Sequence, residues 1–225
     1  MNGPSLLPRI GVLGGTGDEG KGLAFRWSRA GYPVIIGSRS AARAMQAAAE
    51  ITEMLEGTPS VVGMSNEDAA TRADTVVLTV PYAAHAATLE SVKHLLSGKI
   101  LVDVTVPLIP PRLSKVQMPP AGSAAQEARS ILGDGAEVAA AFHTISYEHL
   151  LGGQSIDCDV LVTGTSKQTR EQVIKLVDAT GIVGWDAGPL ENSVVAEGLA
   201  SVLININRLY GSTHAGIRIT GAIKK

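Results

Sequence analysis

The chain has 225 residues, of which 45% are hydrophobic and 18% charged, and its formal net charge is −2. This balance gives no basic surface for nucleic acid or an anionic membrane, and no apolar run approaches the ~20 residues that span a bilayer. Residues 1–7 are too short and insufficiently apolar for a signal peptide. The single cysteine, Cys158, cannot form an internal disulfide, and no metal ligands cluster around it in sequence. We therefore expect a globular cytoplasmic protein with no nucleic-acid, membrane or metal partner.

The first predicted elements are a strand, a glycine turn, a helix and a second strand. Residues 9–13 and 33–36 are short apolar runs, as in strands buried on both faces, and residues 21–29 form the helix between them. Residues 15–20, GTGDEG, match G-x-G-x-x-G. The first glycine permits a tight turn, the second lets a pyrophosphate approach the backbone, and the third lets helix and strand pack closely. This order predicts a dinucleotide-binding unit whose helix start attracts phosphate, with an ordinary tight turn as the alternative.

The end of the second predicted strand indicates which dinucleotide binds. NAD-specific sites place Asp or Glu there to accept hydrogen bonds from the ribose hydroxyls. This chain instead has Ser38 and Arg39, followed by Arg43. A hydroxyl and two guanidinium groups suit a 2′-phosphate, which predicts NADP. The alternative is that Ser38 caps the next helix while the arginines solvate its first turn, but cations at a helix N-terminus oppose its dipole.

Strand and helix patterns alternate through the rest of the chain. Helices are expected at residues 44–55, 67–72, 82–96, 123–132, 166–180 and 191–210, and strands at 60–63, 75–80, 99–104, 138–142, 159–164 and 182–185. Asn66 is the expected N-cap of the second helix, and the apolar stripe of the last one predicts core or a subunit interface. Residues 106–121 contain five prolines and are expected to form a loop over the cleft or across a partner. The alternation predicts an α/β fold with a Rossmann-type doubly wound, mainly parallel sheet.

Ligands of such sheets bind beyond the carboxyl ends of the strands. The segments that fall there are residues 80–82, 103–108 and 143–147. His143 closes a strand, so a ligand contact is weighed evenly against a buried, hydrogen-bonded histidine, and Ile145 offers an apolar wall for a flat ring. Asp103 and Asp186 also end strands, but nothing in the sequence pairs them as acid and base, and no His–Asp or Tyr-x-x-x-Lys arrangement stands out. Hydride transfer between two bound cofactors needs only positioning and exclusion of water.

Several motifs, in one order, resemble the NADPH-dependent F-420 reductases, which transfer hydride between NADP(H) and the hydroxy-deazaflavin coenzyme F-420. They are residues 14–17 (GGTG) with 20–22 (GKG), 37–39 (GSR), 66–70 (NEDAA), 142–145 (FHTI), and 186–190 (DAGPL) with 192–193 (NS). The resemblance runs nearly end to end. It implies a Rossmann domain over residues 1–150, a small C-terminal α/β part over residues 151–225 that closes the cleft, and a homo-oligomer.

By the same resemblance, two groups of residues would bind the two cofactors. The NADP group is Thr16, Gly17, Asp18 and Glu19 at the pyrophosphate, Ser38, Arg39 and Arg43 at the 2′-phosphate, and Val80 and Tyr82 beside the nicotinamide. The deazaflavin group is Val106, Leu108, His143, Ile145, Tyr147 and Ala215. His143 and Ile145 would lie near the transfer site, and no residue is assigned a catalytic role. The chain departs from an archaeal relative at Tyr82, which is Trp there, and around residues 103–105 and 146–147.

The implied activity is direct hydride transfer between NADP(H) and F-420, and two alternatives remain open. An NADPH-dependent flavin or ferric reductase can carry a very similar Rossmann half. A non-catalytic NADP sensor would bind the dinucleotide and signal through a partner, with the proline-rich loop at residues 106–121 as its contact surface. The two reductase hypotheses differ in the electron acceptor, and the sensor hypothesis has none.

Overall fold

The computed structural model describes residues 7–56, 61–151 and 154–224. The strands are β1 (Ile10–Leu13), β2 (Val34–Ser38), β3 (Val62–Ser65), β4 (Thr75–Leu78), β5 (Ile100–Asp103), β6 (Glu137–Ala140), β7 (Asp159–Gly164) and β8 (Val183–Pro189). The α-helices are α1 (Asp18–Arg29), α2 (Ala41–Met54), α3 (Asn66–Arg72), α4 (Tyr82–Val92), α5 (Ala124–Leu132), α6 (Lys167–Ala179) and α7 (Ser193–Tyr210). None of the helices in these ranges is long and apolar enough to cross a bilayer. The predicted alternation is confirmed, although the predicted start of the third strand at residue 60 lies outside the described residues.

These strands form one sheet in the order β3-β2-β1-β4-β5-β6-β7-β8. Every pairing is parallel except that of β6 with β7, which is antiparallel. The chain moves outward in one direction from β1 to β3 and in the other from β4 onward. A crevice therefore opens at the carboxyl ends of β1 and β4, where the strand order reverses. The predicted Rossmann-type, doubly wound, mainly parallel sheet is confirmed.

The predicted boundary at residue 150 falls in the connection between β6 and β7, two neighbouring strands of this sheet. Strands β7 and β8 extend the sheet beyond β6 and, with α6 between them, form the predicted βαβ unit. Helix α7 then returns to α5, where Glu197 accepts hydrogen bonds from the backbone N–H groups of Ala124 and Ala125 at 2.7 and 3.1 Å. This contact caps α5 and fixes α7 beside it. The residues after 150 are thus joined to the Rossmann sheet, and a division into two domains stays a prediction.

Helix layers cover both faces of the sheet, because side chains alternate along each strand. In β1, Ile10 and Val12 pack into a core with α1, α2 and α6, whereas Leu13 packs against α3, α4 and α5. All three side chains are fully buried. Burial on both faces explains why these strands are unbroken apolar runs in the sequence.

The predicted N-cap of α3 is wrong. Ser65 occupies the N-cap position, and its hydroxyl accepts a hydrogen bond from the backbone N–H of Asp68 at 3.0 Å. Asn66 is the first helical residue; it is buried, and its Oδ1 lies 3.4 Å from the backbone nitrogen of Gly14. Two adjacent residues can both serve as caps, and the second is here turned toward the glycine turn instead.

Several other element ends differ from their predicted positions, and β8 runs to Pro189, beyond the predicted residue 185. Helix α4 ends at Val92, four residues early, and continues as a single 3-10 turn over Lys93–Leu95. Strand β6 ends at Ala140, and Phe142 adopts a φ of +70°, which turns the chain before His143. His143 therefore stands in a turn beyond the strand, although at the predicted edge of the sheet.

Candidate active site

A cleft of about 780 Å³ runs along the carboxyl ends of β1, β2, β4 and β5. A second cavity of about 260 Å³ lies beside it, between the segment after β6 and helix α7. Glu19, Val106 and Leu108 line both cavities, so the two are contiguous. The arrangement offers space for two elongated ligands that meet at this shared wall.

The glycine turn forms one side of the larger cavity. A Cβ on Gly15 would lie 2.7 Å from a backbone oxygen, and one on Gly20 would lie 2.7 Å from the Cα of Gly15, so both positions need glycine. A Cβ on Gly17 would meet nothing closer than 3.8 Å, so the backbone faces open space there. Helix α1 begins at Asp18, earlier than the predicted residue 21, and its first free N–H groups lie at the cleft. The tight-turn and packing roles are confirmed, and the pyrophosphate contacts stay a prediction.

The end of β2 supplies the basic side of the same cavity. Ser40 is the N-cap of α2, accepting from the backbone N–H of Arg43 at 3.4 Å, so the alternative in which Ser38 caps this helix is wrong. The buried Ser38 hydroxyl accepts from the backbone N–H of Ser40 at 3.2 Å and can still donate. The Arg39 and Arg43 guanidinium groups make no hydrogen bond or ion pair with the described residues. They present positive charge to the cleft, as an anion site requires.

The structure brings each predicted group of site residues together. The nine residues predicted for NADP, which are Thr16, Gly17, Asp18, Glu19, Ser38, Arg39, Arg43, Val80 and Tyr82, all line the larger cavity. The six predicted for the deazaflavin, which are Val106, Leu108, His143, Ile145, Tyr147 and Ala215, all line the smaller one. Helix α7 completes the smaller cavity with Ala200, Leu203, Ile204 and Asn207. Sequence reasoning missed these four, because the apolar pattern of a helix does not identify what packs against it.

His143 lines the smaller cavity, and its ring is buried from bulk solvent. Neither ring nitrogen makes a hydrogen bond of good geometry with the described residues. Burial lowers the pKa of His143 to about 4, so the imidazole is neutral at neutral pH. A neutral imidazole can donate from one nitrogen and accept at the other. Because buried polar groups are rarely left without a partner, this pair of nitrogens suits a ligand with both hydrogen-bonding functions.

The expectation that the chain lacks a His–Asp pair is wrong. His85 Nε2 lies 2.7 Å from Asp103 Oδ2, and both side chains are fully buried. Glu127 Oε1 lies 3.7 Å from His85 Nδ1, and the Tyr82 hydroxyl donates to Glu127 Oε2 at 2.8 Å. No local spacing marks the pair, because its members come from α4 and β5. Neither His85 nor Asp103 lines the cleft, so the pair cannot exchange a proton with a ligand directly. Through Glu127, the pair is connected to Tyr82, which does line the cleft.

The charge of this cluster follows from its contacts. Burial lowers the pKa of His85, but the hydrogen bond and charge of Asp103 and the charges of Glu127 and Glu197 outweigh burial, and the net effect raises it. The contact with Asp103 therefore favours the protonated form of His85. Burial, together with the contact to Glu127, raises the pKa of Tyr82 to about 12, so its hydroxyl remains a donor.

The raised pKa of His85 predicts a pH dependence of stability. Its contribution is complete below about pH 6.5, the ordinary histidine value, and is lost as the pH rises through the higher folded-state pKa. We expect the wild-type free energy of unfolding to fall over that window by up to about 1.4 kcal/mol per pH unit, the limit for one proton, relative to His85→Gln. Urea unfolding at several pH values measures this difference. The exposed His94 provides the control: His94→Gln should keep the wild-type dependence, and a wild-type dependence in His85→Gln would contradict the assignment.

The fold and the cleft define the class of protein: a Rossmann-type oxidoreductase that binds a dinucleotide. Residues 9–107 match a family model described as "NADP oxidoreductase coenzyme F420-dependent". The chain is 39% identical over 222 residues to the F420-dependent NADP reductase of Methanothermobacter thermautotrophicus, with 96% of each chain covered. It belongs to the family of F420-dependent NADP reductases.

Two further comparisons concern a solved structure and a more distant relative. The structure of a putative F420-dependent NADP reductase from Arthrobacter sp. FB24 superimposes with a TM-score of 0.78 at 27% identity, covering 94% of this chain and 98% of that one. Mouse Metalloreductase STEAP2 is 31% identical over 201 residues, which cover 88% of this chain but 37% of that protein. The similarity to STEAP2 therefore concerns only part of that longer protein.

Proposed function

We propose that this protein transfers a hydride directly between NADP(H) and coenzyme F-420, with one bound in each cavity. The observation that carries the proposal is that the two cavities are adjacent and share three lining residues. One extends to the unpaired guanidinium of Arg39, the other contains the unpartnered imidazole of His143, and they meet at the apolar side chains of Val106 and Leu108. The relatives that match nearly the whole chain carry both substrates in their names.

The larger cavity holds NADP in this proposal. The backbone N–H groups at the start of α1, beside Gly17, take the pyrophosphate. Ser38, Arg39 and Arg43 take the 2′-phosphate, where charged hydrogen bonds are strong and geometrically specific. Tyr82, held by Glu127, forms the wall beside the nicotinamide.

The smaller cavity holds the deazaflavin ring. The His143 imidazole donates to a ring carbonyl or accepts from a ring N–H, which orients the ring. Ile145 and Leu203 provide apolar walls, and α7 closes the cavity as the predicted C-terminal part of the site. The residues position two rings and exclude water, and no covalent attachment to the protein is involved.

We further propose that the protein is a cytoplasmic homo-oligomer and that α7 supplies an interface. Of its predicted apolar stripe, Leu203 is buried, whereas Val195 and Leu209 are 62% and 64% exposed. Val202 and Ile206 are also exposed on this helix. An apolar surface of this kind is typical of a protein-protein contact.

The assay for the proposed function is direct. Purified protein mixed with reduced F-420 and NADP should restore the absorbance of the oxidised deazaflavin, and NADPH with oxidised F-420 should bleach it. NADP should be preferred over NAD as the nicotinamide substrate. Absence of any absorbance change in both directions would overturn the proposal.

The same preparation distinguishes the two alternatives. Reduction of free FMN or ferric chelates by NADPH, with no reaction of the deazaflavin, would identify a flavin or ferric reductase. Tight NADP binding with no hydride transfer to any of these acceptors would identify a sensor. In that case the proline-rich segment at residues 106–121 would be the first surface to test for partner binding.

A further inference from the structure

Glu19 occupies a distinctive place between the two cavities. It lies in the first turn of α1, it is partly buried, and its side chain lines both the larger and the smaller cavity. Val106 and Leu108 are the other residues that line both. Among the described residues, Glu19 is therefore the ionisable group of the shared wall, and its carboxyl group makes no hydrogen bond or ion pair with them.

We propose that Glu19 is a catalytic acid–base residue that faces both reacting rings, supplying the proton that accompanies hydride transfer to the deazaflavin and taking it back in the reverse direction. This inference rests on the proposed function, because it takes the nicotinamide and the deazaflavin to meet at the shared wall. It adds a proton-transfer residue to a reaction that otherwise needs positioning alone.

A hydride from C4 of NADPH forms a C–H bond at C5 of the deazaflavin, and the reduced ring then needs one proton, at a ring nitrogen, to be neutral. Glu19 gives up that proton and becomes a carboxylate. The carboxylate faces the nicotinamide, which has become positively charged, so the two opposite charges form together. Because Glu19 is only partly buried, it regains a proton from solvent when the products leave.

The other titratable groups around the two cavities do not fit this role. His143 faces the smaller cavity and is neutral, since burial lowers its pKa to about 4. Tyr82, from α4, has a pKa of about 12 and already donates to Glu127. Asp18 lies beside Glu19 on α1 and is exposed, Tyr147 stands at the rim of the smaller cavity, and the lining residues from α7 carry no charge.

The environment of Glu19 suits the proposed role. Burial raises the pKa of its carboxyl group to about 8. An acid–base group works best with a pKa near the working pH, because both of its protonation states are then populated. Glu19 therefore carries a proton at neutral pH before the reaction and can release it when a positive charge appears beside it.

The first test measures protons rather than turnover. Calorimetric titration of NADP⁺ in two buffers of different ionisation enthalpy gives the number of protons released on binding. Near neutral pH, wild type should release a substantial fraction of one proton more with NADP⁺ than with NADPH, because the positive ring lowers the pKa of Glu19, whereas the 2′-phosphate is common to both nucleotides. Glu19→Gln should show no difference between the two nucleotides, while Glu67→Gln, which removes an exposed carboxylate that lines neither cavity, should behave as wild type. A wild-type difference between the two nucleotides in Glu19→Gln would overturn the proposal.

The second test is the pH dependence of the rate. Reduction of F-420 by NADPH should slow as the pH rises through the titration of Glu19, and the reverse reaction should accelerate. Glu19→Gln should lose both dependences and be at least about tenfold slower at neutral pH, while Glu67→Gln, outside both cavities, keeps them. Unchanged pH profiles in an active Glu19→Gln enzyme would refute the role of Glu19 alone, whereas absence of F-420 turnover in wild type would refute the proposed function itself.

Discussion

Replacing Arg39 with alanine should weaken NADP binding by about 1.5 to 3 kcal/mol, roughly 10- to 150-fold in Kd, and leave NAD binding nearly unchanged. Arg39 follows the last residue of β2, lines the larger cavity and has no acidic partner among the described residues. Its charge is therefore available to the 2′-phosphate, the group that distinguishes NADP from NAD. Fluorescence or calorimetric titration of Arg39→Ala with both dinucleotides measures the two affinities.

Arg72 provides a control for total charge. Arg72, at the end of α3, is exposed and does not line the cavity, so Arg72→Ala should bind both dinucleotides as wild type does. The preference of wild type for NADP should also weaken as salt concentration rises, because exposed charges are screened. An equal loss of NADP and NAD affinity in Arg39→Ala would show that Arg39 does not read the 2′-phosphate.

The parts of this site that depend on local sequence could be predicted. The glycine turn follows from close contacts between residues a few positions apart, such as Gly15 and Gly20. The carboxyl ends of parallel strands share one edge of a sheet, so residues that follow different strands, such as Tyr82 and His143, converge in the cleft. These rules need no knowledge of how distant segments pack.

Features that depend on contacts between distant segments could not be predicted. His85 and Asp103 pair across α4 and β5, and neither residue has a neighbour in sequence that marks it as half of an ion pair. The prediction of the N-cap of α3 was wrong for a different reason. Ser65 and Asn66 are both good N-cap residues, and only packing against the glycine turn decides which of them caps the helix. The Asn66 side chain lies against that turn, and Ser65 caps α3.

Arg26 makes long-range contacts that could not be predicted from the sequence. Its side chain is 2% exposed although it is charged. The guanidinium donates to the backbone carbonyls of His149 and Leu150 at 2.6 and 2.8 Å, of Gln154 at 2.8 Å and of Thr180 at 2.9 Å. Thr180 is the C-cap of α6, and Leu150 is the C-cap of the 3-10 turn Tyr147–His149. The cation therefore satisfies carbonyl groups that helix ends leave unpaired.

Replacing Arg26 with methionine should lower the free energy of unfolding by about 3 to 5 kcal/mol. Methionine keeps much of the apolar stem but removes every donor, so buried carbonyl groups on segments from three parts of the chain lose their partner. The structure cannot close around the gap easily, because α1 already touches this segment: a Cβ on Gly22 would lie 2.3 Å from the Cβ of Leu150. Urea or thermal unfolding of Arg26→Met measures the loss.

Arg29, one turn further along α1, is the matched control. It is exposed, with its guanidinium 5.5 Å from the ring centre of Phe25, and Arg29→Met should cost no more than about 1 kcal/mol. Arg26 contacts His149, which lies in the same 3-10 turn as Tyr147. A folded Arg26→Met protein should therefore also lose affinity for F-420 while keeping its affinity for NADP. Equal stabilities of the two variants would mean that the four carbonyl groups find other donors, and that Arg26 does not hold this wall of the smaller cavity in place.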